Sequence, residues 1–122
     1  MEAKDLLQTA AQIIFNKKGF NLLALEIGHF SNLADFILIA EGFVDRHLQA
    51  MAWALVDELK ARGVRLLAKE ESGQWLILDF GLLLVHLFLP KARESYQIER
   101  IFSGLQKIVP LNLDLTSEAQ HV

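Results

Sequence analysis

The spacing of apolar residues changes several times along the chain, and each change predicts an element. Residues 3–17 carry Leu6, Leu7, Ala10, Ile13 and Ile14 at helical spacing. Lys17 and Lys18 suit the negative end of a helix dipole, and Gly19 can end the helix. Residues 20–27 predict a short strand, interrupted by Glu26, and 28–32 a loop. Residues 35–40 form a compact apolar strand that Gly42 ends. The clearest helix spans 45–62, with Leu48, Met51, Ala52, Leu55, Val56 and Leu59 in one stripe. Asp45 is a candidate N-cap and Gly63 a terminator. Trp53 lies off that stripe, and the pattern places it at the edge of the core.

Residues 64–68 predict a short strand and 69–73 a turn. Two apolar strands then meet at Asp79-Phe80-Gly81 and stop at Pro90. A two-residue turn at Phe80-Gly81 sets Asp79 opposite Leu82, Ile77 opposite Leu84 and Trp75 opposite His86. One sheet face then reads Trp75, Ile77, Asp79, Leu82, Leu84, His86, Phe88. Residues 92–109 predict one or two helices, with Ile98, Ile101, Phe102 and Leu105 on one side. The domain is expected to span 1–109, and 110–122 to form a C-terminal tail without a clear pattern. This order predicts an α/β (α+β) domain. It has a mixed sheet of about five strands and helices mainly on one face.

Composition narrows the function classes. With 122 residues, 52% hydrophobic and 22% charged, the chain suits one globular domain. No apolar run approaches the ~20 residues of a membrane helix, and the N-terminus lacks a signal-peptide pattern. Cysteine is absent, which removes disulfides and thiolate metal sites and is compatible with the cytoplasm. Fifteen acidic and 12 basic residues give a net charge of −3, so no broad basic surface exists for a nucleic-acid backbone. A basic protein is the more natural partner.

Candidate chemistry is sparse. Neither a G-x-G-x-x-G nor a P-loop pattern occurs, nor a G-x-S-x-G elbow, nor H-E-x-x-H. The four histidines lie outside ligand spacing of one another. No catalytic residue, cofactor or metal is therefore expected. Arg46-His47 reads as a pair tying a loop to the sheet edge, or as an anion site at a helix start. His86 has two readings: a core histidine satisfied by Asp79 or the backbone, or a polar contact on an apolar interface. Trp75 opens a strand after a polar turn and suits an interface anchor. Tyr96, in a polar stretch, suits an interface or a sheet edge. Phe88 suits the core.

The ordered string W-x-L-x-D-F-G-x-x-x-V-H-x-F-x-P, followed by R-E-x-Y-x-x-E-R, resembles the ribosomal silencing factor family, also called Iojap-related. Upstream, Ser31, Asp35, Ile39, Ala40, Gly42, Arg46 and His47 match that family's S-x-x-x-D-x-x-x-I-A-x-G-x-x-x-R-H. The resemblance implies a nucleotidyltransferase-like fold. It also implies a non-enzymatic factor that binds the large ribosomal subunit through the fourteenth protein of its series. Bound there, such a factor blocks joining of the small subunit and represses translation in starvation. A homodimer in the free state is implied as well. The partner-binding residues expected on this basis are Trp75, Asp79, His86, Tyr96 and Glu99. The chain departs from the family's D-Y-G-D with Phe80 and Leu82, and has Val44-Asp45 before Arg46-His47 and Ser95 before Tyr96.

Two other classes are weighed against this one. A small nucleotidyltransferase-like enzyme needs paired carboxylates for Mg²⁺, and Asp79 has no D-x-D neighbour. A homodimeric interaction module without a ribosomal role needs only the apolar face.

Overall fold

Two long helices form where the apolar stripes predict them. The computed structural model describes residues 1–28, 33–97 and 110–116. Helix α1 spans Ala3–Asn16 and buries Leu6, Leu7, Ala10, Ala11, Ile13 and Ile14. Helix α2 spans Asp45–Ala61 and buries Leu48, Met51, Ala52, Ala54, Leu55 and Leu59. Val44, not Asp45, occupies the cap position of α2, and Asp45 sits in the first turn, where its charge suits the dipole. Each fully buried leucine in these stripes contributes roughly 1.5–3 kcal/mol.

Strands β1 (Phe20–Glu26), β2 (Phe36–Glu41), β3 (Ala68–Glu71), β4 (Trp75–Asp79), β5 (Leu83–Phe88) and β6 (Pro110–Leu111) form one mixed sheet in the order β3-β4-β5-β2-β1-β6. Strand β2 lies parallel to β5, and the other pairs are antiparallel. All six residues of β2 are buried, as a central strand covered on both faces requires. The expected mixed α+β sheet is thus present, with the two-residue β6 as an additional strand.

The two faces are covered differently. Leu38, Ala40, Leu76, Leu78, Val85 and Leu87 pack with α1 and α2 in one cluster. Leu25, Ile27, Ile37, Ile39 and Phe88 lie on the opposite face, with Ala92 of the short helix α3 (Pro90–Tyr96). Pro90 stops β5 and at the same time starts α3, where its missing N–H costs nothing. The centre of this second face is closed. Its outer strip, over β4 and the edge of β5, leaves Trp75, Ile77 and Leu84 half-buried.

Three expectations change. The strand expected at 64–68 lies instead at Ala68–Glu71, where the sequence predicts a turn, and all four of its residues are exposed. Val64 and Leu66 pack against the helical core outside any strand, so their hydrophobicity marks packing and not strand pairing. Residues 110–116, expected in the tail, are docked. Ala24 and Leu25 pair with Leu111 and Pro110, and the Asp114 and Thr116 amides donate to the Gln8 and Gln12 side chains. Of the helical stretch expected over 92–109, Pro90–Tyr96 is helical and 98–109 lies outside the described residues.

The third change is the hairpin register. Asp79 pairs with Leu84, Ile77 with His86 and Trp75 with Phe88, a slip of two from the expected pairing. The Phe80 amide bonds the Leu83 carbonyl at 2.9 Å, so Gly81 and Leu82 are the two turn residues. Gly81 has φ +90°, which places glycine at the first central position, as a type II′ turn demands. A slip of two preserves the side of every residue. We expect Gly81→Ala to lower unfolding stability by about 1–2 kcal/mol, measured in urea, because an alanine must adopt that left-handed backbone.

Candidate functional site

The β4–β5 hairpin gathers four aromatic rings on the second face. Trp75 stacks on Phe88 with ring centroids 5.0 Å apart and on His86 at 5.8 Å. Tyr96, carried by α3, lies over Trp75 at 4.6 Å. Phe88 is fully buried beneath them, Trp75 is half-buried and Tyr96 is 51% exposed. The rings therefore grade from core to solvent. Trp75 is not opposite His86 in the register, yet its Nε1–H donates to His86 Nδ1 at 3.3 Å across the diagonal.

That bond fixes the histidine's chemistry. Burial lowers the His86 pKa to about 4, so the ring is neutral at pH 7. With Nδ1 accepting, its proton sits on Nε2, for which no partner exists among the described residues. Asp79 is not the neighbour that satisfies His86. Its Oδ1 accepts from the Gly81 amide at 2.8 Å and braces the turn. The first reading of His86 therefore needs correcting: it is buried, but a tryptophan is its partner.

The lowered pKa has a sign that can be tested. The unfolded chain takes up a proton near pH 6.5, and the folded chain only near pH 4. The histidine's contribution is complete above the unfolded value and is lost as pH falls through that window. His86→Phe is expected to remove up to ~3 kcal/mol of this acid-side slope. Thermal melts of both proteins between these pH values check it; parallel profiles would count against it.

Beside the rings, a hollow of about 440 Å³ is lined by Leu33, Ala68, Lys69, Glu70, Ile77, Asp79, Leu84 and His86. A second, of about 280 Å³, is lined by Glu70, Glu71, Ser72, Trp75, Ile77 and Tyr96. The pair shares Glu70 and Ile77, giving an apolar floor with a predominantly acidic rim. The structure thus brings Trp75, His86 and Tyr96 together, with Asp79 at the hairpin end. Glu99 lies outside the described residues, as does Ser31 of the upstream motif.

Of the Arg46-His47 pair, His47 acts as a structural tie, between the two helices and not to the sheet edge, while Arg46 is exposed and takes no part in it. His47 Nδ1 accepts from the Phe43 amide at 2.9 Å, and Nε2 donates to the Lys17 carbonyl at 2.7 Å. The ring staples the start of α2 to the end of α1. Gly42 permits this approach: a Cβ there would lie 2.8 Å from Leu48 Cδ2 and 2.9 Å from Met51 Cε.

One element of the site was missing from the sequence reading. Arg93 of α3 forms an ion pair with Glu41 Oε2 at 2.9 Å and also donates to the Asn21 carbonyl. Asn21 Nδ2 reaches the same carboxylate at 3.1 Å. Both charged side chains are nearly buried, at 13% and 10% exposure. The pair fixes α3, and with it Tyr96, against the sheet. Nothing in the sequence flags it, because its partners come from separate elements.

Fold and site together define a small α+β domain with an aromatic, acid-rimmed sheet face. Among the described residues no three metal-ligating side chains converge, and no helix is long and apolar enough to cross a membrane. The family model described as ribosomal silencing factor during starvation matches residues 1–121, and the chain belongs to that family. The ribosomal silencing factor of Chromobacterium violaceum is 30% identical over 106 residues, covering 85% of this chain and 87% of that protein. A crystal structure of a Chromobacterium violaceum protein superposes with a TM-score of 0.81 at 26% identity, covering 100% of both chains. The mouse protein named for mitochondrial assembly of the ribosomal large subunit is 28% identical, over 83% of this chain and 46% of its own length.

Proposed function

We propose that this chain docks through its β4–β5 face onto a basic protein of the large ribosomal subunit, the fourteenth of the series. There it blocks joining of the small subunit and represses translation in starvation. The observation that carries this reading is the graded ring cluster of Trp75, Phe88 and Tyr96 beside a hollow rimmed by Glu70, Glu71 and Asp79. A half-buried tryptophan offers an anchor with little ordering cost, and the carboxylates suit a cationic partner. Steric exclusion needs no catalytic group, so the factor acts without turnover, in the cytoplasm.

Co-sedimentation with isolated subunits tests this. The chain is expected to pellet with large subunits and not with small ones, and less as salt is raised, because the rim charges are exposed to screening. Equal pelleting with both subunits, or with neither, overturns the reading. In the free state the same apolar strip is proposed to pair two copies. Gel filtration with and without large subunits then reports exchange of the homodimer for the ribosomal complex.

A further inference from the structure

The helical side of the sheet carries a second surface that the ring cluster does not use. Trp53 is 71% exposed, in contrast to the edge-of-core position expected from its place beside the α2 stripe. It lines a groove of about 530 Å³ between α2 and the edge strand β3, with Ala50, Ala52, Val56 and Leu66 as other apolar walls. Two lining residues are charged, Arg46 and Lys69, and both are cations. Neither has a carboxylate within ion-pair reach among the described residues. The nearby Glu71 is engaged by Gln49 at 2.6 Å. Strand β3 is the last strand of the sheet on this side.

Such a groove leaves a large ring in water on a surface that also carries two cations without a carboxylate in reach among the described residues. Lone exposed apolar residues need no explanation, but a tryptophan within an apolar trough does. The charge at the two sites is opposite to that around Trp75. Lys69 pairs with Leu78 on the helical side, whereas Glu70 pairs with Ile77 on the ring-cluster side. The two surfaces lie on opposite sides of the sheet and meet at the β3 edge, where Lys69 also lines the hollow of about 440 Å³. We propose that the α2–β3 groove binds an acidic, apolar segment of a second protein, with an apolar side chain against Trp53 and carboxylates at Arg46 and Lys69. The apolar lining with only two cations favours a peptide over a nucleic-acid backbone, which needs a row of cations.

The test uses the full chain and two synthetic peptides: acetylated alternating Leu-Glu, and the same peptide with Lys for Glu. The two indole N–H signals are followed by NMR, with Trp53→Phe assigning one. The acidic peptide is expected to shift the Trp53 signal and leave that of Trp75 in place. Arg46→Glu with Lys69→Glu is expected to weaken it at least about tenfold, with unchanged thermal melting because both positions line the surface. The proposal is overturned by an unmoved Trp53 signal, by equal binding of the basic peptide, or by a uridine oligonucleotide shifting Trp53 at lower concentration than the acidic peptide. Sedimentation equilibrium closes the last alternative. A dimer that Trp53→Ala dissociates assigns the groove to a second copy and likewise overturns it.

Discussion

Trp75→Ala is expected to weaken binding to large ribosomal subunits by about 30-fold or more, a hot-spot loss of ~2 kcal/mol. The substitution removes the ring between Tyr96 and Phe88 and leaves His86 Nδ1 without its donor. Stability falls too, but by less than the ~3–5 kcal/mol of a fully buried tryptophan, because Trp75 is only half-buried. The two effects separate when unfolding and subunit binding are measured on one preparation. A protein still folded at the assay temperature that no longer pellets with large subunits supports the docking role. A stability loss at the full core magnitude, with binding lost only in proportion to unfolding, assigns Trp75 to the core. The proposed face then loses its anchor.

Arg93→Ala is expected to cost ~3–5 kcal/mol, because it strands the Glu41 carboxylate at 10% exposure without its cation. Asn21 continues to donate one hydrogen bond, which is not enough to offset a buried charge. Urea denaturation with linear extrapolation gives the value. A loss below ~1 kcal/mol would show that water reaches the carboxylate and that the pair behaves like a surface bridge. Combining Arg93→Met with Glu41→Met is expected to recover most of the stability, since two apolar side chains leave no uncompensated charge. Subunit binding need not recover with it, because the orientation of Tyr96 depends on how α3 is seated.

The elements that the sequence made legible are those with strong periodicity. The stripes from Leu6 to Ile14 and from Leu48 to Leu59 specify α1 and α2 because burial demands that spacing. The alternation Trp75, Ile77, Asp79 and Leu84, His86, Phe88 specifies one side of the hairpin. Its register needed more than hydrophobicity. Gly81 had to be recognised as the first central turn residue, and the pattern alone fits either of two pairings of the same parity. The apolar pattern does not mark β3, because its residues Ala68-Lys69-Glu70-Glu71 bury little and its edge pairing to β4 leaves no apolar trace. The Glu41–Arg93 pair and the Trp75–His86 hydrogen bond join residues brought together only by the sheet, so no local spacing announces them.

The parallel pairing of β2 with β5 also sets an order of events during synthesis. Phe36 to Glu41 lie beside Leu83 to Phe88, with α2 and the β3–β4 segment between them in sequence. Strands β1 and β2 are neighbours in sequence and in space, and can zip early. The middle of the sheet cannot close until β5 has been made, because nothing earlier in the chain occupies its place beside β2. Until then the apolar edge of β2 is an open template for other strands. A chain without Leu83–Phe88 therefore leaves that edge open, and the arrival of β5 beside β2 is what removes it.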